Sequence, residues 1–285
     1  MKRLLQIFGG CGVAVVVIIA LVAWLLTGHG TSQQPVPEDI PPVEGKEVAH
    51  IDVNAPGRTA DKLTYWASDL ADRTGIPPAA LRAYGNAELI AQQKWPNCHL
   101  RWNTLAGLGY VETRHGTYNG NWFKHSKLDD AGYPQPPING IALDGLNNTA
   151  HTPDTDNGEI DGDSEYDRAV GPMQFIPTTW EAVGADANGD GKADPNQIDD
   201  AAVGAAGLLC FGDRDLSNPD QWKEAILNYN QSSDYLHKVA HAAMLTQFHK
   251  VPSSVTRLRF LQQLRTWLGR LVQSELFMRS EKQHG

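Results

Sequence analysis

Basic charge is scarce through the middle of this chain. Its net charge is -9 over 285 residues, and the charge is unevenly spread. Lys2 and Arg3 open the chain, and Arg257, Arg259, Arg265, Arg270, Arg279 and Lys282 stand near the close against only Glu275 and Glu281. Phosphate backbones need a basic face, so nucleic acid is excluded as the partner of the main domain. Acidic loops suit divalent cations and neutral or amino-sugar substrates better. Sustained strand alternation is also missing, which leaves a mainly helical domain, and no internal repeat is found. No histidine pair at i,i+4 spacing lies beside an acid, and no Gly-rich phosphate loop occurs, so hydrolytic zinc and nucleotide readings fall away. Cysteine is rare, at three residues.

What is present begins with an uncharged run from Leu4 to Thr27. It is close to the ~20 residues a membrane-spanning helix needs and longer than an ordinary signal-peptide core. No small-x-small cleavage site follows it, so an uncleaved anchor (1–27) is expected, with a cleaved signal as the alternative. The basic side should stay in the cytoplasm. The rest is then extracytoplasmic, on the cell-wall side of a single-pass membrane protein. Cys11 sits in the apolar run and reads as a small lipid-facing residue. Cys98 and Cys210 face an oxidising compartment, where they form either one bridge or two free buried thiols.

Residues 28–57 are rich in Pro, Glu and Gln (TSQQPVPEDIPPVEGKE) and read as an extended tether. The globular part, 58–250, is expected to start near Arg58. Leu63, Trp66 and Leu70 recur at helical spacing before Gly75 stops the run. Pro77 and Pro78 then open a helix carrying Leu81, Tyr84, Leu89 and Ile90. A third helical run, LRWNTLAGLGYVETRHG, follows Cys98. Residues 117–168 are short polar pieces with many Gly, Asn, Asp and Pro, and a long irregular segment inside a compact domain is usually functional. Helices resume at PTTWEAVG, DDAAVGAAGLLCFG and QWKEAILNYNQSSDYLHKVAHAAMLTQF. The end, 251–285, contains a basic amphipathic stretch with Leu261, Leu264, Leu268 and Leu271 on one stripe.

Glu112 is the residue that asks for an explanation. It ends an otherwise apolar helical run, and a buried Glu is costly unless it is paired or used. One reading is an ion pair with Arg114 or His115. The other is catalysis: cleaving a glycosidic bond requires an acid still protonated near neutral pH, and burial raises a Glu pKa in that way. GYVETRHG is followed by AVGPMQFIPTTW and then by AILNYNQSSDYLHKV. This ordered triplet, Glu112-Thr113, Gly171-Pro172-Met173-Gln174 and Tyr229-Asn230-Gln231-Ser232, resembles the lytic transglycosylases of the lysozyme superfamily, in particular the membrane-bound MltB-like branch of actinobacteria. The resemblance covers about residues 60–245. It implies a mainly α, goose-type lysozyme-like domain with long irregular cleft loops behind one transmembrane helix.

The resemblance further implies that Glu112 is the single acid, then base, of the reaction. The 6-hydroxyl of the muramic residue takes the place of water and a 1,6-anhydro end is formed. Gln174 and Met173 would line the cleft opposite Glu112, and Tyr229 and Asn230 would close it. It also implies a Cys98–Cys210 bridge. Tyr118, Trp122 and Phe123 follow Glu112 closely and offer aromatic faces for stacking on pyranose rings, or for plain packing.

DANGDGKADPNQIDD is a second constellation. Asp186, Asn188 and Asp190 alternate before Gly191, like the first half of an EF-hand loop, and Lys192 can supply its backbone carbonyl. Gln197 stands at the twelfth position where a bidentate Glu is expected, so Asp194 or Asp199 would have to complete a structural calcium site. The alternative is an acidic turn capping the next helix. The run 153–167, with Asp154, Asp156, Asp161, Asp163 and Asp167, matches no metal loop. Three functions stay open: a lytic transglycosylase of peptidoglycan, a muramidase that uses water with Asp163 or Asp167 as second carboxylate, and an inactive wall-binding scaffold. The C-terminal stretch adds a membrane surface or a cell-wall synthesis or division protein as a partner.

Overall fold

The computed structural model describes residues 40–42, 45–120, 125–146 and 149–246. The expected anchor, the C-terminal basic stretch, Trp122 and Phe123 lie outside the described residues. Among the described residues no helix is long and apolar enough to cross a membrane.

Seven α-helices carry the described part: α1 (Thr64–Thr74), α2 (Pro78–Lys94), α3 (Trp102–Thr113), α4 (Pro177–Val183), α5 (Ile198–Leu209), α6 (Pro219–Tyr229) and α7 (Ser233–Leu245). A 3-10 turn, Thr59–Leu63, leads into α1. Their ends follow local chemistry. Gly75 closes α1 in the left-handed region, and prolines stand at the first turns of α2, α4 and α6, where the missing N–H costs nothing. Asn218 and Ser232 cap α6 and α7 through their side chains.

The helices pack as two principal pairs, α3 against α7 and α2 against α5. Trp102, Trp222, Tyr84, Leu81, Leu105, Leu108, Met173, Leu209 and Ile226 are among the fully buried side chains between them. The first pair approaches closely because residue 107 is glycine. A Cβ there would stand 2.7 Å from the Val239 carbonyl oxygen and 2.9 Å from the Ala243 methyl. Cys98, just before α3, is bonded to Cys210 at the end of α5.

Between α3 and α4 the irregular segment contains two small antiparallel pairs, β1 (Lys127–Leu128) with β2 (Pro134–Gln135) and β3 (Asn139–Ala142) with β4 (Arg168–Val170). Strands of two to four residues are too short to leave an alternation in the sequence. The tether also differs from expectation. Val48 is buried against the core, and the Trp66 and Trp102 indoles donate to the carbonyls of Glu47 (2.8 Å) and Lys46 (2.9 Å). The packed domain therefore begins by Gly45 rather than near Arg58, because two core tryptophans need acceptors and this segment supplies them.

Candidate active site

Glu112 lies in the last turn of α3, half-buried. Neither partner of the ion-pair reading meets it. The Arg114 guanidinium lies 4.1 Å over the Tyr110 ring, and His115 Nδ1 faces the buried Tyr84 hydroxyl at 3.3 Å. Burial, with the Arg114 charge nearby, pushes the His115 pKa down to about 3, so the imidazole is neutral and offers no cation. The partner of Glu112 is the Tyr235 hydroxyl, which donates to Oε1. Burial pushes the Glu112 pKa up to about 7, against the Tyr235 hydrogen bond, which favours the carboxylate. A carboxyl group with that pKa is half protonated near neutral pH, the condition for general acid work.

The backbone after Glu112 turns at once. Arg114 (φ 53°), His115 (φ 62°) and Gly116 (φ 78°) are left-handed in succession, and the Arg114 and His115 amides close onto Tyr110 and Gly109 carbonyls, which ends the helix. The Thr113 hydroxyl donates to the Pro172 carbonyl at 2.6 Å and accepts the Gly116 amide at 2.8 Å. That ties the end of α3 to the GPMQ turn, whose flanks Val170 and Phe175 exchange both backbone hydrogen bonds. Gly171 begins that turn at φ 74°, where a Cβ would collide with the Pro195 carbonyl at 2.0 Å.

The other latch is Tyr229, which donates to the Met173 carbonyl at 2.7 Å. Its ring lies parallel to that of Tyr235 at 6.4 Å between centroids. The three sequence motifs thus converge, through Thr113 on one side and Tyr229 on the other. Burial and the Glu112 charge both raise the pKa values of Tyr229 and Tyr235, so both hydroxyls stay protonated and act as donors.

A cavity of about 240 Å³ opens over Glu112, lined by Val111, Arg114, Thr117, Tyr118 and His125. Tyr118 is therefore placed in the same cavity as Glu112. Met173 is not placed for substrate: its side chain is fully buried, and it joins the core while its carbonyl serves Tyr229. Gln174 is half-buried and occupied by its own turn, donating to the Gly171 carbonyl at 2.9 Å. Asn230 is exposed at the end of α6. Sequence reasoning missed Tyr235 and His125. A second tyrosine six residues after Tyr229, at the start of a Ser-capped helix, was the available signal for the first; none pointed to His125.

No second carboxylate lines this cavity among the described residues. Asp163 is paired with Arg168 at 2.7 Å. Asp167 is fully buried and accepts from the Thr155 amide and hydroxyl. The carboxylates of Asp154, Asp156 and Asp167 cluster, yet each is taken up by backbone amides or Thr155 of its own loop.

The second acidic loop is organised around Asp200 rather than Asp199. Asp200 accepts the amides of Ala187 (2.7 Å), Asn188 (3.1 Å) and Asp194 (3.0 Å). Asp199, expected among the metal ligands, points the other way into a buried ion pair with Arg58 at 2.7 Å. Adjacent residues in the first turn of α5 are about 100° apart around the axis, so only one can face the loop. Gln197 is also buried and caps α5 by accepting the Asp199 and Asp200 amides.

Residues 103–211, less than half of the chain, match the family model described as Transglycosylase SLT domain. The match supports a lytic transglycosylase domain of the lysozyme-like superfamily, a class that acts on peptidoglycan. It includes Glu112, the GPMQ turn and the Asp186–Asp200 loop, and it ends before Tyr229 and Tyr235. Neither a comparison with curated proteins nor one with solved structures finds a match.

Proposed function

We propose that this chain is a lytic transglycosylase of the membrane-bound MltB-like kind that cleaves the MurNAc–GlcNAc bond of peptidoglycan with Glu112 as its one acid and base. The observation that carries this is the Glu112 environment: a carboxyl with pKa about 7, in a cavity that no other described carboxylate lines. Protonated Glu112 gives its proton to the glycosidic oxygen as the bond to C1 breaks. The resulting carboxylate takes the proton of the 6-hydroxyl as O6 of the same sugar bonds to C1, which closes the 1,6-anhydro ring and restores the acid. No water is consumed, so no second carboxylate is needed, in contrast to the paired carboxylates of most glycosidases. Tyr235 and Tyr229 hold Glu112 and the facing turn in register.

The loop around Asp200 carries the donors a structural calcium would take: Asp186, Asn188, Asp190 and Asp194, with the Lys192 carbonyl. In this structure those side-chain oxygens accept amides of their own loop or pair with Lys192, so binding would exchange these partners for the ion, while Asp200 braces the backbone that carries them. Calcium would hold this loop and take no part in bond cleavage. The N-terminal apolar run would tether the enzyme to the outer face of the cell membrane, and the basic C-terminal stretch would meet that membrane or a cell-wall synthesis or division protein.

Mass spectrometry of peptidoglycan digests made with the purified full chain tests the reading, with Glu112→Gln as control. Products ending in 1,6-anhydromuramic acid, lost in the variant, are expected. Reducing ends would indicate hydrolysis instead, and intact strands with both proteins would indicate a binding protein.

A further inference from the structure

A second space lies beside the Glu112 cavity: a groove of about 300 Å³, walled by Ile76 and Pro77 between α1 and α2, by Tyr110 and His115 at the end of α3, and by Ala242 and Leu245 at the end of α7. Arg114 and Thr117 line both spaces. The groove is chiefly apolar, and its wall includes Tyr110, 39% exposed, and Leu245, 59% exposed.

Arg114 is also unlike every other arginine described. Arg58, Arg73, Arg82, Arg101, Arg168 and Arg214 each pair with an Asp or Glu. Arg114 has no carboxylate partner among the described residues; its guanidinium is stacked on Tyr110. In a chain of net charge -9, with acids in plenty, one described arginine is left without a carboxylate, two residues from the proposed acid. Arg114 is exposed, and its stacking on the Tyr110 ring limits the side-chain freedom to be lost on binding.

We propose that Arg114 and this groove form a subsite for the carboxylate-bearing peptide carried by the sugar at the cleaved bond, so that peptide-substituted strands are preferred. The proposal rests on the transglycosylase reading. In peptidoglycan the peptide leaves the muramic residue through a lactyl ether on O3, on the same sugar whose glycosidic oxygen at C1 Glu112 would protonate. A guanidinium fork takes a carboxylate bidentately, and the apolar walls suit the alkyl parts of the peptide. The chain's own tail is the competing occupant, since Thr246 lines the groove and residues 247–285 follow it. Their charge disfavours it: this stretch is rich in Arg and Lys, of the same sign as Arg114.

The test compares kcat/KM of the full chain on glycan strands with intact peptides and on the same strands stripped by an amidase. Wild type should prefer the substituted strands, and Arg114→Gln should reduce that preference about fivefold, mainly through KM, with Arg114→Lys keeping part of it. A soluble muramyl peptide should bind Glu112→Gln and bind the Glu112→Gln/Arg114→Gln double variant more weakly, a readout free of turnover. Equal losses on both strands, or a preference untouched by Arg114→Gln, would overturn the subsite alone. Absence of cleavage of either strand by wild type would overturn the parent reading and the subsite with it. A photo-crosslinker in place of Thr74 should capture the muramyl peptide; capture of residues 247–285, undiminished by that peptide, would assign the groove to the tail.

Discussion

A carboxyl group and a phenol in contact define the chemistry at the scale of single residues. The Tyr235 hydroxyl stabilises the charged form of Glu112, while burial, the larger effect, stabilises the neutral one. A rate that needs protonated Glu112 therefore falls as pH rises through about 7. Removing the hydroxyl removes the effect favouring the carboxylate, so the pKa rises further. In Tyr235→Phe the falling limb of kcat/KM should move to higher pH by about one unit, the size expected for a hydrogen bond to a charged group. A pH–rate profile of both proteins checks this; a limb moved to lower pH would contradict the assignment. The sequence displayed Glu112 openly, since an acid closing an apolar helix is conspicuous. It hid Tyr235, because nothing local shows that the chain turns after Asn230 to bring the first turn of α7 beneath the last turn of α3. Asp199 and Asp200 were indistinguishable for a similar reason: neighbours in the chain, they face a buried arginine and a loop of amides respectively.

At the scale of elements, the position of Glu112 depends on how α3 is held at both ends. Its start has no side-chain cap of its own. Glu88 of α2, almost fully buried, supplies one from outside, accepting the Trp102 amide at 2.6 Å and standing 3.4 Å from the Arg101 guanidinium. Substitution Glu88→Ala would leave a buried N–H without its acceptor, a loss of about 2–3 kcal/mol. The urea midpoint of unfolding should fall accordingly, and a midpoint equal to wild type would show that α3 is anchored by its packing alone. At the other end, Thr113 and Tyr229 clamp the GPMQ turn. The helices themselves were legible from Pro at first turns, Gly75 as a stop and apolar spacing. The small strand pairs were not, because two-residue strands carry no period.

Across the whole molecule, the Cys98–Cys210 bridge joins positions 112 residues apart, one before α3 and the other after α5. The enclosed loop holds the proposed acid, both acidic loops and the GPMQ turn. In the chain-entropy view, a closure of that length stabilises by about 4–5 kcal/mol. The Cys98→Ala/Cys210→Ala double variant should therefore lose a large share of its stability in urea unfolding, and wild type should lose the same share on adding reductant. A reductant effect without a matching loss in the double variant would point elsewhere.

By itself the sequence determined the helical character, the acidic and irregular nature of residues 117–168, and the order of three motifs. Those are short-range properties: caps, stops and apolar spacing act within a turn or two of the chain, and motif residues can be read without knowing where they meet. Tertiary structure alone decided that Met173 is core, that Asp200 braces the loop, that residues 45–57 belong to the domain and that Arg114, without a carboxylate partner among the described residues, lines two cavities. Above all it decided the proton affinity of Glu112, because desolvation is imposed by whatever packs around a group, and what packs around Glu112 includes a tyrosine 123 residues away in the chain.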